Sequence, residues 1–257
     1  MKINWDSEVL SSVSKAVDQL EHLSINKDSI ESVADWLAYE EFPFPSNPSL
    51  RDDADDFIRA TMFMNTLNFA FTDFDKSIKY EIKDNGKVLS DSEAMYFQVN
   101  NAISSGIKLT EGNVMASISL QQLENIFVGN IEMPMLKERV EILNEVGQKL
   151  VDSYEGDWIN FINNGPKKLY SNGDGLIERL VNEFPRFDDS SQFKESKVKF
   201  YKLAQLAFWV IHAELSESHY FKIDDMNSMT AFADYIIPVA LSLKTVSYTH
   251  LTLPTKA

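Results

Sequence analysis

From Leu120 onward, apolar residues recur at the spacing of a single helix face, and a chain with that period must bury its core between helices. Leu120, Leu123, Ile126 and Phe127 make one stripe; Val140, Leu143, Gly147, Leu150 and Tyr154 make a second. Pro134, Gly156, Gly165-Pro166 and Pro185 break the pattern where a helix cannot continue. Nearer the start, Asp6-Ser7 reads as the cap of a first helix bearing Val9, Val13, Val17 and Leu20. Asp28-Ser29 reads as the start of a second, with Ile30, Val33 and Leu37 on its apolar side. Pro43, Pro45 and Pro48 make residues 42–49 a loop, and the acidic run from Asp52 to Asp56 suits the start of a helix or strand leading to Phe57. The β signal is confined to Ser77–Val88, where alternation ends in Asn85-Gly86, a hairpin turn. No repeat is present, so the expected fold is mainly α: a single helical domain with a small β-hairpin.

Composition narrows the function classes. A chain of 257 residues that is 44% hydrophobic can bury a sizeable core. It has no cysteine, which excludes disulfides and thiolate metal sites, and Met1-Lys2-Ile3-Asn4-Trp5-Asp6 does not open a signal peptide. The expected compartment is therefore cytoplasmic. No apolar run approaches the roughly 18 residues of a membrane helix, so no membrane association is expected. The net charge of −15 opposes phosphate-backbone binding, and no long nucleic acid is expected as a partner. A small phosphorylated ligand stays open, because one local cluster of donors can hold it.

Two lone charges stand out within apolar runs read as helical: Lys202 in Phe200–Ile211 and Asp234 in Met229–Pro238. Burying an isolated ammonium or carboxylate costs several kcal/mol unless it is paired, so each is either half of a structural ion pair or part of a working site. The two are candidate partners. Ser171-Asn172-Gly173-Asp174-Gly175 lacks the ligand spacing and closing Glu of a calcium loop and reads as a turn, and His212 and His219 flank Glu214 without a zinc spacing. Neither a metal nor a dissociable cofactor is expected.

Four segments carry a resemblance. Asn65–Phe71, Glu138–Gly147, Phe200–Gln205 and Met229–Tyr235 are, in order, similar to the queuosine salvage protein family of queuosine 5'-phosphate N-glycosylase/hydrolases, over about Asn65 to Leu243. The resemblance implies a helical fold like that of helical DNA glycosylases and an enzyme that cleaves the N-glycosidic bond of queuosine 5'-monophosphate. Its products would be queuine and ribose 5-phosphate and its substrate a small molecule; independently of the resemblance, a monomer is expected. It places Asp234 and Lys202 at the catalytic centre. Phe232, Ala233, Tyr235, Tyr201, Asn68 and Phe69 would bind substrate, their rings stacking on the base for roughly 1–3 kcal/mol each. Read without it, Phe69, Phe232 and Tyr235 are ordinary core residues and Asn68 a turn or cap residue. The chain departs from the family at Ile236, where Arg is common.

The resemblance also implies further helices beyond this chain's last residue that help close the ligand pocket. Residues 246–257 are read as translated adapter sequence, so the native helical domain is expected over 1–245. Rival readings are a glycosylase for another nucleotide, a non-catalytic binding module for queuine or its nucleosides, and a helical interaction protein whose Lys and Asp are structural.

Overall fold

A computed structural model describes residues 7–40, 53–73 and 75–249. The expected proline-rich loop at 42–49, Asp6 and residues 250–257 lie outside them. The architecture is mainly helical. Helix α1 (Glu8–Val17) and α2 (Lys27–Leu37) precede the central α3 (Ala54–Thr66), followed by α4 (Asp91–Ser104), α5 (Gly112–Ser117), α6 (Leu120–Ile126) and the long α7 (Leu136–Tyr154). Then come α8 (Trp158–Asn163), α9 (Leu176–Glu183), α10 (Lys202–Leu215) and α11 (Ile236–Leu243).

Helix α3 is the centre of the core. Asp53 caps it by accepting from the backbone of Asp55 and Asp56, and nearly every side chain from Phe57 to Thr66 is buried. Such a helix can carry polar residues only if they bond locally. Asn65 and Thr66 do so, donating to the carbonyls of Thr61 and Met62 one turn back, both at 2.9 Å. Burying Phe57, Ile58, Met62 and Phe63 contributes about 1.5–3 kcal/mol apiece. Around the far side, Trp158, Phe161, Phe184 and Phe187 interlock mostly edge to face.

The second stripe read from the sequence lies on α7, but its buried face is Leu136, Arg139, Leu143, Val146, Gly147, Leu150 and Tyr154. Val140 is only half-buried and a charged residue, Arg139, takes the inward position. Gly147 lets α5 cross closely: a Cβ there would stand 2.3 Å from the Ala116 nitrogen. The first helix ends at Val17, so Leu20 falls outside it, and α2 starts one residue earlier than expected, capped by Asn26.

The expected hairpin is present as β4 (Glu81–Asp84) and β5 (Lys87–Ser90), and both turn residues, Asn85 and Gly86, have positive φ. It is not alone. β2 (Thr72–Asp73) pairs with β3 (Ile78–Lys79), β6 (Ser190–Phe193) with β7 (Ser196–Lys199), and β1 (Leu23–Ile25) with β8 (Ser247–Thr249), all antiparallel. The β6–β7 turn, Lys194-Glu195, contains no Gly, Asn or Pro, which is why its sequence gives no hairpin signal.

Candidate active site

The two lone charges meet. Lys202 Nζ lies 2.5 Å from Asp234 Oδ2. Neither sits in a helix interior as the apolar runs suggested: Lys202 is the first residue of α10, and Asp234 stands in a non-helical segment ahead of α11. Two local features explain this. Tyr201 adopts a left-handed conformation, φ 50° and ψ 35°, which stops α10 from extending backwards. Pro238 lacks an N–H and is tolerated only in a first helical turn, so α11 starts at Ile236 rather than at Met229.

Both charges remain reachable, with 25% and 30% of their side chains exposed. Asp234 Oδ1 accepts from the Ile236 N–H at 3.1 Å. The Lys202 hydrogen bond holds the Asp234 carboxyl below the usual carboxylate range, against a smaller opposing effect of burial, and the Ile236 N–H adds to the lowering. Asp234 is therefore an anion at neutral pH, suited to stabilise positive charge or attack carbon, and unsuited to deliver a proton.

The other candidates divide. Phe232 is half-buried, its ring 5.8 Å from that of Trp209 on α10. Ala233 and Tyr235 are exposed beside Asp234, Tyr235 by 76%. Tyr201 is buried and turns the other way, its hydroxyl donating toward Glu8 of α1 at 3.4 Å. Asn68 donates to the Tyr96 hydroxyl at 3.2 Å. Over the Phe69 ring lie two guanidiniums, those of Arg139 and Arg186, at 4.3 and 4.5 Å from the centroid.

Asn68 and Phe69 belong to the same end of the α3–α10 pair as Lys202. These helices run antiparallel, since Tyr220, just past α10, donates to Asp55 at the start of α3. A bonded path also joins the two places. Arg186 donates to the Thr66 carbonyl, and the Asp189 carbonyl three residues on accepts from the backbone of Phe200 and Tyr201, next to Lys202. Arg139 secures the turn itself by donating to the carbonyls of Leu67, Phe69 and Ala70. Burial pushes Arg139 and Arg186 each down to about 10, with the Arg186 charge lowering Arg139 further; both stay charged at neutral pH.

Arg139 and Arg186 were not singled out from sequence. A lone Arg four residues before Leu143, on the apolar side of α7, was the available signal for the first. Among the described residues no three His, Cys, Asp or Glu side chains converge. His212 Nδ1 accepts from the Ile223 N–H, and the N–H groups of Ser171, Gly173 and Gly175 point at the Glu178 carboxylate, which makes that turn a backbone nest around a side chain. A groove of about 430 Å³ bounded by Ile82, Phe97, Gln98, Asn101 and Ile126 contains neither Lys202 nor Asp234.

Residues 47–253 match the family described as queuosine salvage protein. The chain belongs to that family. Three relatives named queuosine 5'-phosphate N-glycosylase/hydrolase illustrate its place among queuosine salvage proteins. That of Sphaerobacter thermophilus is 27% identical over 236 residues, 91% of this chain and 71% of the relative. That of Bos taurus is 29% identical over 208 residues, 80% and 58%, and that of Nematostella vectensis 31% identical over 182 residues, 69% and 51%. The chain thus spans about half to seven-tenths of the length of these queuosine salvage relatives. No helix among the described residues is long and apolar enough to cross a membrane.

Proposed function

We propose that the protein is a hydrolase acting on the N-glycosidic bond of queuosine 5'-monophosphate, releasing queuine and ribose 5-phosphate. The observation that carries this reading is the ionised, partly open Asp234 carboxylate paired to Lys202 in a chain whose relatives are named for that reaction. Bond cleavage leaves positive charge on the ribose, and an anionic carboxylate facing C1′ lowers the energy of that state. Water then adds to C1′ and its proton leaves with the base. Lys202 keeps Asp234 charged and fixed in direction.

Phe232, Ala233 and Tyr235 form the wall beside the carboxylate, and Asn68 and Phe69 contribute from the turn after α3; Tyr201 acts from behind as the backbone stop of α10. Water is the co-substrate. The reading extends to a monomer in the cytoplasm, where a phosphorylated nucleoside is retained, and to a domain related in fold to helical DNA glycosylases. Chromatographic detection of queuine from queuosine 5'-monophosphate, with wild type beside Asp234→Asn, tests the reaction. Release by wild type that disappears in the variant is the expected result. Tight binding of the nucleotide without turnover by a folded wild type would replace the hydrolase with a binding module.

A further inference from the structure

The segment carrying Asp234 is short of its own support. Ala231 and Ala233 are exposed, Tyr235 is largely so, and no helix or strand runs through residues 229–235. What holds it is α10. Lys202, Gln205 and Trp209 fall on one face of that helix at i, i+3 and i+7, and each reaches a different residue of the segment. Lys202 takes Asp234, Gln205 takes Thr230 and Trp209 takes Phe232.

The middle rung differs from the other two. Gln205 is completely buried, and its amide is committed at both ends. Its Oε1 accepts from the Thr230 N–H at 2.9 Å and from the Thr230 hydroxyl at 3.0 Å, while its Nε2 donates to the Phe200 carbonyl at 3.1 Å. One side chain therefore ties the residue before the left-handed Tyr201 to the start of the Asp234 segment. A neutral, dry, doubly accepting amide is a rigid spacer, because a buried carbonyl oxygen without its donors would cost the full desolvation of that group.

We infer that Gln205 is a positioning residue: it sets the separation between the start of α10 and the Asp234 segment, so that the Asp234 carboxylate keeps its place while substrate binds beside the Lys202 pair. The inference rests on reading Asp234 and Lys202 as the reaction centre. The charged rung is the one exposed to solvent and substrate, and the neutral rung one turn along stays closed. Division of labour follows from burial: the buried amide supplies the fixed point, and the partly exposed ion pair meets the substrate.

The test is Gln205→Met, which keeps volume and removes the donor and acceptor, with Thr230→Val, which removes only the hydroxyl donor. Two readouts are taken on proteins shown to be folded by circular dichroism. In turnover of queuosine 5'-monophosphate, Gln205→Met should lower kcat about 10–100-fold with KM moving far less, and Thr230→Val should lower it in the same direction by a smaller factor. In ¹³C-aspartate NMR titrations, with Asp234→Asn used to assign the signal, the Asp234 carboxyl of Gln205→Met should titrate nearer the ordinary value than in wild type. A folded Gln205→Met with wild-type kcat, or with an unchanged Asp234 titration, overturns the inference. If Gln205→Met does not fold, Thr230→Val decides by the same two measurements. Absence of turnover by wild type would strike the hydrolase reading, and the NMR arm would still decide the positioning role.

Discussion

The guanidinium of Arg139 sits 4.3 Å from the centroid of the Phe69 ring and donates to the carbonyl of the same residue. It has no exposed surface, and its remaining donors go to Leu67, Ala70 and Pro134. One side chain from α7 thereby fixes the backbone of the turn that presents Asn68 and Phe69. Replacing it by Met would take a hydrogen bond from four carbonyls at once, leaving that of Leu67 with only the Phe69 N–H. Arg139→Met should destabilise the fold by about 3–5 kcal/mol, measured as a fall in the urea midpoint, and Arg139→Lys should recover little because one ammonium cannot span the fork.

Asp234→Asn removes the charge and keeps the shape. The expected loss in kcat is about 10²–10⁴-fold, with folding retained, since the side chain is partly exposed and its capping of Ile236 survives in the amide oxygen. Discontinuous assay of free queuine would measure it.

The pH dependence has a definite sign. A carboxyl lowered in the folded protein contributes stability that is full above its unfolded value and is lost as pH falls through the lower folded one. Asp234 is lowered from the ordinary 3.8, so no acid limb above that pH should come from it. Asp157 is also lowered: burial is the largest single effect and opposes its ionisation, but the two-pronged contact from Arg59 at 3.0 and 2.8 Å, the Ile159 N–H and the Arg59 charge together outweigh it. The urea midpoint of Asp157→Asn should lie below that of wild type at neutral pH and converge on it under strongly acid conditions. A constant difference at every pH would remove the ion pair from the account.

Gly147→Ala adds one methyl where α5 and α7 cross, against backbone atoms that cannot step aside. A loss of about 1–3 kcal/mol is expected in thermal or urea unfolding. Ala at Gly173 is a useful contrast, because no atom stands near its Cβ and only the φ of 96° resists the change.

The helical period from Leu120, the breaks at prolines and the Asn85-Gly86 hairpin were legible because each is written in residues close together. The partnership of Lys202 with Asp234 was legible for another reason: two unmatched charges in apolar surroundings call for each other. Their placement was not. Met229–Pro238 reads equally well as helix, and the limit that Pro238 sets on α11 together with the anchoring of Thr230 by Gln205 leaves its first half non-helical. Arg139 escaped notice because Val140, its neighbour, completes an equally good stripe, and one residue of phase cannot be told from composition. The path through Arg186 and Asp189 uses backbone carbonyls, which leave no mark in a sequence.

The pairing of β1 with β8 has a mechanical meaning. Leu23 lies opposite Thr249, so the chain enters and leaves this ribbon at the same end. A load applied through the flanking segments would open the ribbon one rung at a time, as a zipper opens, rather than shearing all its hydrogen bonds together. The two-stranded ribbon would therefore yield at low force.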